Sequence, residues 1–186
     1  MTVDDEEGRL IFFRHTFSLH TASDSHPRQG RTPMTNDSTA PGPDPLDVMA
    51  MFGYRGIGTL AERMGIEFLE LSAERAVARM PVEGNTQPLG LVHGGAYVVL
   101  AESLGSTAAN MHAGPDRVAM GIEINASHSG SATKGWVIGT CTAIHLGRSL
   151  ATHQIEVDDE NGRRLSTVRI TNIIKDRRPD QVFETS

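Results

Sequence analysis

With 186 residues the chain has an ordinary single-domain length and enough material for a real core. Its 23 Asp plus Glu against 17 Lys plus Arg, with no basic cluster longer than a pair, exclude the electrostatic footprint of a nucleic-acid binder. The single cysteine, Cys141, excludes an internal disulfide, and its place in the strand-like Trp136-Val-Ile-Gly-Thr-Cys-Thr-Ala-Ile144 makes it a packed thiol, as expected of a cytoplasmic protein.

In chain order, residues 1–45 come first and read as a disordered extension. Pro27, Pro33, Pro41, Pro43 and Pro45 are mixed with small polar residues, without any apolar period. Met34-Thr-Asn-Asp-Ser-Thr also reads as a natural chain start, which would make 1–33 a start-site artefact; the competing reading is a flexible tail carrying a binding patch at Ile11-Phe12-Phe13. Leu10 to Phe13 is too short for a signal-peptide core, and Gly94 to Ala109 is shorter than the roughly 20 apolar residues of a membrane span. The chain is therefore expected to be neither exported nor membrane-bound.

Asp44-Pro45 is a helix cap followed by a first-turn proline, so a short helix is predicted from Leu46 to Gly53, and a second from Thr59 to Met64, stopped by Gly65. Ile66 to Leu71 and Arg75 to Val82 alternate apolar and polar residues around Ser72-Ala73-Glu74, the signature of a hairpin. The longest helical segment, Gly94 to about Met111, ends at Gly114-Pro115. Four strands follow, Val118–Ser127, Gly135–Ile144, Ser149–Val157 and Leu165–Ile174, the last two joined by the turn Asp158-Asp-Glu-Asn-Gly162. One hairpin, one long helix and a four-strand meander predict an α+β domain over 46–175, a mostly antiparallel sheet covering a single helix, with a C-terminal tail at 176–186.

Chemistry concentrates on the long helix. Glu102 is its only charged side chain up to Ala109, and Val98, Val99, Leu100, Ala101, Leu104, Ala108 and Ala109 surround it on nearly the whole circumference. Such a helix is expected to be buried, and a carboxylate on it loses hydration, a cost that a purely structural sequence rarely accepts. Two readings stand: a functional carboxylate, or a structural one satisfied by backbone or by a second subunit. His93-Gly94-Gly95 stands at the helix start, where free N–H groups and the positive dipole end collect; it reads as a plain cap or as an oxyanion site. Gln87 is a loop residue near that start.

Gly94 and Glu102 are eight residues apart, roughly 12 Å along one helix, whereas a polarised carbonyl lies roughly 3 to 3.5 Å from its attacking group. One chain cannot bring both to the same substrate. Antiparallel packing of two such helices across a twofold axis would. Ser106, one turn beyond Glu102, is placed to hydrogen-bond the carboxylate or a water. His112, His128, His145 and His153 lack ligand-like spacing, so no metal is expected, and no Gly-x-Ser-x-Gly elbow is present.

The segment Gln87-Pro-Leu-Gly-Leu-Val-His93-Gly-Gly-Ala-Tyr-Val-Val-Leu-Ala-Glu102-Ser-Leu-Gly-Ser106 resembles the signature of the hot-dog-fold, PaaI-like thioesterases grouped with Arthrobacter-type 4-hydroxybenzoyl-CoA thioesterase and 1,4-dihydroxy-2-naphthoyl-CoA thioesterase. The resemblance runs from Leu46 to Ile174 and includes Gly121-Ile-Glu-Ile-Asn125-Ala-Ser-His128 and His145-Leu-Gly-Arg148. It implies a long central helix wrapped by a five- to six-stranded sheet, homodimers paired into homotetramers, and a cofactor-independent hydrolase acting on an acyl- or aroyl-CoA. By position, Glu102 matches the catalytic carboxylate, as nucleophile or general base, and Gly94 the carbonyl-polarising N–H. Gln87 and His93 match substrate-orienting side chains and Ser106 a water-placing hydroxyl. Gly95 falls beside the substrate, and His145 and Arg148 toward the nucleotide of coenzyme A. Glu rather than Asp as the carboxylate favours aroyl substrates, while Ala151-Thr-His153-Gln departs from relatives that carry an aromatic residue there. A hot-dog hydratase or dehydratase and a non-catalytic acyl-CoA-binding protein are the rival readings.

Overall fold

The computed structural model of the chain describes residues 56–177. The N-terminal extension, the helix predicted after Asp44-Pro45 and the C-terminal tail beyond residue 177 lie outside the described residues.

The elements are α1 (Thr59–Arg63), β1 (Glu67–Leu71), β2 (Arg75–Pro81), α2 (Gly94–Ala113), β3 (Arg117–His128), β4 (Trp136–Leu146), β5 (Leu150–Asp159) and β6 (Arg164–Asp176). Buried and less buried positions alternate most clearly in β2, where Ala76, Ala78 and Met80 are buried while the residues between them are not. The turn between β1 and β2 is closed by Ser72, whose N–H donates to Arg75 O at 2.7 Å and whose Oγ accepts from the Arg75 N–H at 3.0 Å. Helix α2 ends at Gly114, with φ of 76°.

All strand pairings are antiparallel, in a six-stranded sheet of order β1-β2-β4-β5-β6-β3. The last four strands are therefore not the simple meander that their succession suggests. Strand β4 pairs with β2, from Arg75↔Thr142 to Pro81↔Trp136, while β3 crosses to the far edge beside β6. Alternation tells which face of a strand is buried and carries no record of its neighbours, so strand order follows from tertiary packing.

The sheet curls around α2, which touches β2, β3, β4, β5 and β6. Tyr97, Leu100, Leu104 and Ala108 of the helix pack with Met80, Val137, Ile155, Val168 and Ile170 in the main core. Each large apolar side chain buried in this way contributes about 1.5–3 kcal/mol of transfer free energy. The approach is closest at Gly105, where a Cβ would collide with Ile170. Cys141 is buried at the middle of β4, and desolvation pushes its thiol up to about 12. The sheet's far face is polar: Arg164 reaches Asp158 at 2.6 Å and Glu156 at 2.7 Å.

Helix α2 is not buried on its whole circumference. Ala96, Tyr97, Leu100, Ala101, Leu104, Gly105, Ala108 and Ala109 form the sheet-facing side, whereas Val98, Val99, Glu102, Ser103 and Ser106 are only partly covered within one chain. The apolar residues on this second side made the helix look fully buried.

Candidate active site

Glu102 stands on the partly covered side of α2 and faces a cleft of about 410 Å³ between α1 and α2. Leu60, Ala61, Val98, Val99 and Ser103 line this cleft, so its wall is largely apolar. The wall formed by α1 is a tertiary feature with no motif of its own, so nothing in the local pattern announces it.

One hydrogen bond, from Ser106, holds the carboxylate among the described residues. The Ser106 hydroxyl lies 2.9 Å from Glu102 Oε1, as helical spacing of four residues allows, and Ser106 Oγ is also 3.1 Å from Asn172 Oδ1 on β6. Gly121 of β3 lies beneath the carboxylate: a Cβ there would be 2.8 Å from Oε1, so any larger residue would push the carboxylate from this position. Gly121 pairs with Asn172, and the β3–β6 register shifts between Gly121 and Glu123. A bulge beside a reactive group re-aims the strand locally. Asn110 fixes the next turn, donating to Ser106 O at 2.8 Å and accepting from the Ala119 N–H at 3.0 Å.

At the start of α2, His93 is the N-cap, with φ −67° and ψ 132°, and its Nδ1 accepts from the Gly95 N–H at 2.9 Å. The Gly95 N–H is used by this cap. The Gly94 N–H has no acceptor among the described residues, which leaves it as the donor available to a carbonyl oxygen. The loop before the helix folds back through the Thr86↔Val92 bridge, which sets Gln87 opposite Leu91, with an N–H to O bond of 2.7 Å, and Asn85 opposite His93, with a bond of 2.9 Å. Gln87 Oε1 accepts from the Leu89 N–H at 2.9 Å.

His128, one of the scattered histidines, proves to sit at this end as well. Its ring packs on Tyr97 with centroids 5.4 Å apart, its Nδ1 is 2.9 Å from Ser166 Oγ, and its Nε2 lies against Gly94. Nothing in the spacing of the histidines marks this position; the β3–β6 register creates it.

His145 and Arg148 are not brought to Glu102 within one chain. The β4–β5 turn docks at the other end of α2, where His112 Nε2 donates to Gly147 O at 3.0 Å and Arg117 links Ala113 O and Arg148 O at 3.0 and 3.1 Å. Glu102 and Ala113 are eleven residues apart, roughly 16 Å along the helix. Arg148 there lines a polar cleft with Arg117, Ser149, Lys175 and Asp176. Among the described residues no group of His, Cys, Asp and Glu could hold a metal ion, and no helix is long and apolar enough to cross a membrane.

A six-stranded antiparallel sheet wrapped on one long helix is the architecture of the hot-dog thioesterases. The sequence profile of the thioesterase superfamily matches residues 89–166. The chain is 42% identical over 119 residues to the proofreading thioesterase EntH of Cronobacter turicensis, spanning 63% of this chain and 87% of that protein. It is likewise 42% identical over 120 residues to the 1,4-dihydroxy-2-naphthoyl-CoA hydrolase of Escherichia coli K12, spanning 64% and 88%. A crystal structure of a thioesterase mutant from Pseudomonas aeruginosa superposes with a TM-score of 0.64 at 32% identity, covering 71% of this chain and 96% of that one. The chain belongs to the thioesterase superfamily, and it is a thioester hydrolase of hot-dog fold.

A Staphylococcus aureus thioesterase of the same fold, 28–29% identical with TM-scores of 0.58–0.59, has been solved with a Glu and with a Gln replaced by Ala. Those two positions are fifteen residues apart in that protein, the separation of Gln87 and Glu102 here.

Proposed function

We propose that the chain hydrolyses an aroyl- or acyl-CoA thioester, with Glu102 as the reactive carboxylate of a site shared by two copies of the chain. The observation that carries this reading is the placement of Glu102, which opens onto an apolar cleft while Ser106 holds one of its oxygens. A cleft of about 410 Å³ with aliphatic walls suits an aromatic ring such as benzoyl or dihydroxynaphthoyl, the latter being the group named for the Escherichia coli relative.

In this reading Glu102 attacks the thioester carbonyl or deprotonates the attacking water, and the sulfur of coenzyme A leaves. The Gly94 N–H of a second copy stabilises the developing oxyanion, and Gln87 and His93 orient the substrate. Ser106 places the carboxylate and the water. Arg148, with His145 nearby, approaches the nucleotide end of coenzyme A; Arg117 and Lys175 in the same cleft add positive charge suited to phosphates. Strand β3 supplies support for pairing: it is an edge strand with Met120 43% and Ile122 58% exposed, a feature that single chains usually avoid. The assembly is a homodimer, paired further into a homotetramer.

The test is release of free coenzyme A from benzoyl-CoA, followed by thiol titration on folded protein. Glu102→Gln should lower kcat by about a thousandfold, within the range of a lost acid–base or nucleophilic group. Normal turnover by that variant would sink the proposal.

A further inference from the structure

Asn172 has no place in the mechanism so far, yet it touches the group that holds Glu102. It lies on β6 with no exposed surface, at a position where its neighbours on the same face, Val168, Ile170 and Ile174, are apolar. Its Nδ2 is buried without a hydrogen-bond partner, while its Oδ1 is 3.1 Å from Ser106 Oγ. A buried amide that leaves its donor unpaired is costly, and replacing it by leucine would relieve that cost.

A serine hydroxyl has one proton. Ser106 Oγ lies 2.9 Å from the Glu102 carboxylate and 3.1 Å from Asn172 Oδ1, and both of these are acceptors. The charged acceptor takes the proton, because a hydrogen bond to a carboxylate is roughly twice as strong as one to a neutral carbonyl. Asn172 Oδ1 would then face serine lone pairs. Turning the carboxamide by 180° puts Nδ2 in that place, where it donates to Ser106 Oγ and is no longer orphaned; the two orientations have the same shape and differ only in this network.

We propose that Asn172 is a positioning residue for the hydrolysis, donating from Nδ2 to Ser106 so that the Ser106 proton is committed to Glu102 Oε1. The chain of donors then runs one way, from Asn172 to Ser106 to Glu102. It fixes the plane of the carboxylate and leaves Oε2, which has no partner among the described residues, as the oxygen that reacts. Gly121, across the ladder from Asn172, completes the seat by leaving room under Oε1. This inference rests on Glu102 being the reactive group.

The experiment measures kcat and KM with benzoyl-CoA for Asn172→Leu, Ser106→Ala, the double variant and Glu102→Gln. Asn172→Leu should lower kcat by about tenfold, the worth of one hydrogen bond, with KM changed less than about twofold. Ser106→Ala should show a loss of similar size, and adding Asn172→Leu to it should cost nothing further, because Asn172 acts only through Ser106. Unchanged kcat in Asn172→Leu, or losses that multiply in the double variant, would overturn the inference. If Glu102→Gln is inactive while Asn172→Leu is normal, only this inference falls; if Glu102→Gln is active, the reading of the site falls with it. Neutron diffraction from the unaltered protein decides the matter even where Asn172→Leu does not fold: deuterons on the Asn172 atom facing Ser106 support the proposal, and a bare oxygen there overturns it.

Discussion

His153 is fully buried on β5. Its Nε2 faces Ala73 O at 2.9 Å and so carries the proton, while Nδ1 is buried without a partner. Burial holds its pKa below the ordinary 6.5 against the raising effect of the Ala73 carbonyl, and His112 adds a smaller depression. The unfolded chain therefore takes up a proton near pH 6.5 that the folded chain refuses. Stability from this residue is complete above that pH and falls as the pH drops below it, at up to about 1.4 kcal/mol per unit for one proton. Urea denaturation between pH 7.5 and 5 should show a shallower decline for His153→Phe than for the unaltered protein; parallel declines would remove His153 as the cause. Residues of this kind mark the limit of reading a sequence. Glu102 and Ser106 were legible because helical spacing puts them on one face, whereas Asn172, His128 and Gly121 matter through the β3–β6 register, which no local pattern encodes.

The elements themselves were largely legible. Helix α2 begins at the His93 cap and ends at Gly114 as its punctuation requires, and all six strands follow alternation in the sequence. Strand order was not, since β4 inserts beside β2 and β3 moves to the edge. Gly105 shows what packing adds to such a pattern. In a helix a change of glycine to alanine ordinarily stabilises by up to about 1 kcal/mol, but here the added methyl would collide with Ile170. Overpacking costs of about 1–3 kcal/mol should win, so Gly105→Ala should lower the urea midpoint with an unchanged slope. A higher midpoint would show that the helix has room to move away from β6.

For the whole molecule, the distance between Gly94 and Glu102 makes a test that needs no structure of the assembly. Proline is tolerated at a first helical position and removes the N–H, and His93 already has the extended backbone that a following proline requires, while the His128 ring, 2.9 Å from a Cβ at position 94, must shift aside. Gly94→Pro and Glu102→Gln should each be nearly inactive alone. Coexpressed in equal amounts, they should recover about a quarter of normal activity if the proposed shared-site dimer forms, because half such dimers would be mixed and one of their two sites would keep both groups. If each site instead lies within one chain, no mixture recovers anything.

The packed thiol of Cys141 has a practical consequence for all of these measurements. It is the chain's only cysteine, it is buried in β4, and its high pKa keeps it protonated at neutral pH. A disulfide reagent added to the folded enzyme reads coenzyme A with almost no background from the protein. The same reagent in the absence of substrate becomes a clock for opening of the core, since the thiol can react only when the residues packed over it part.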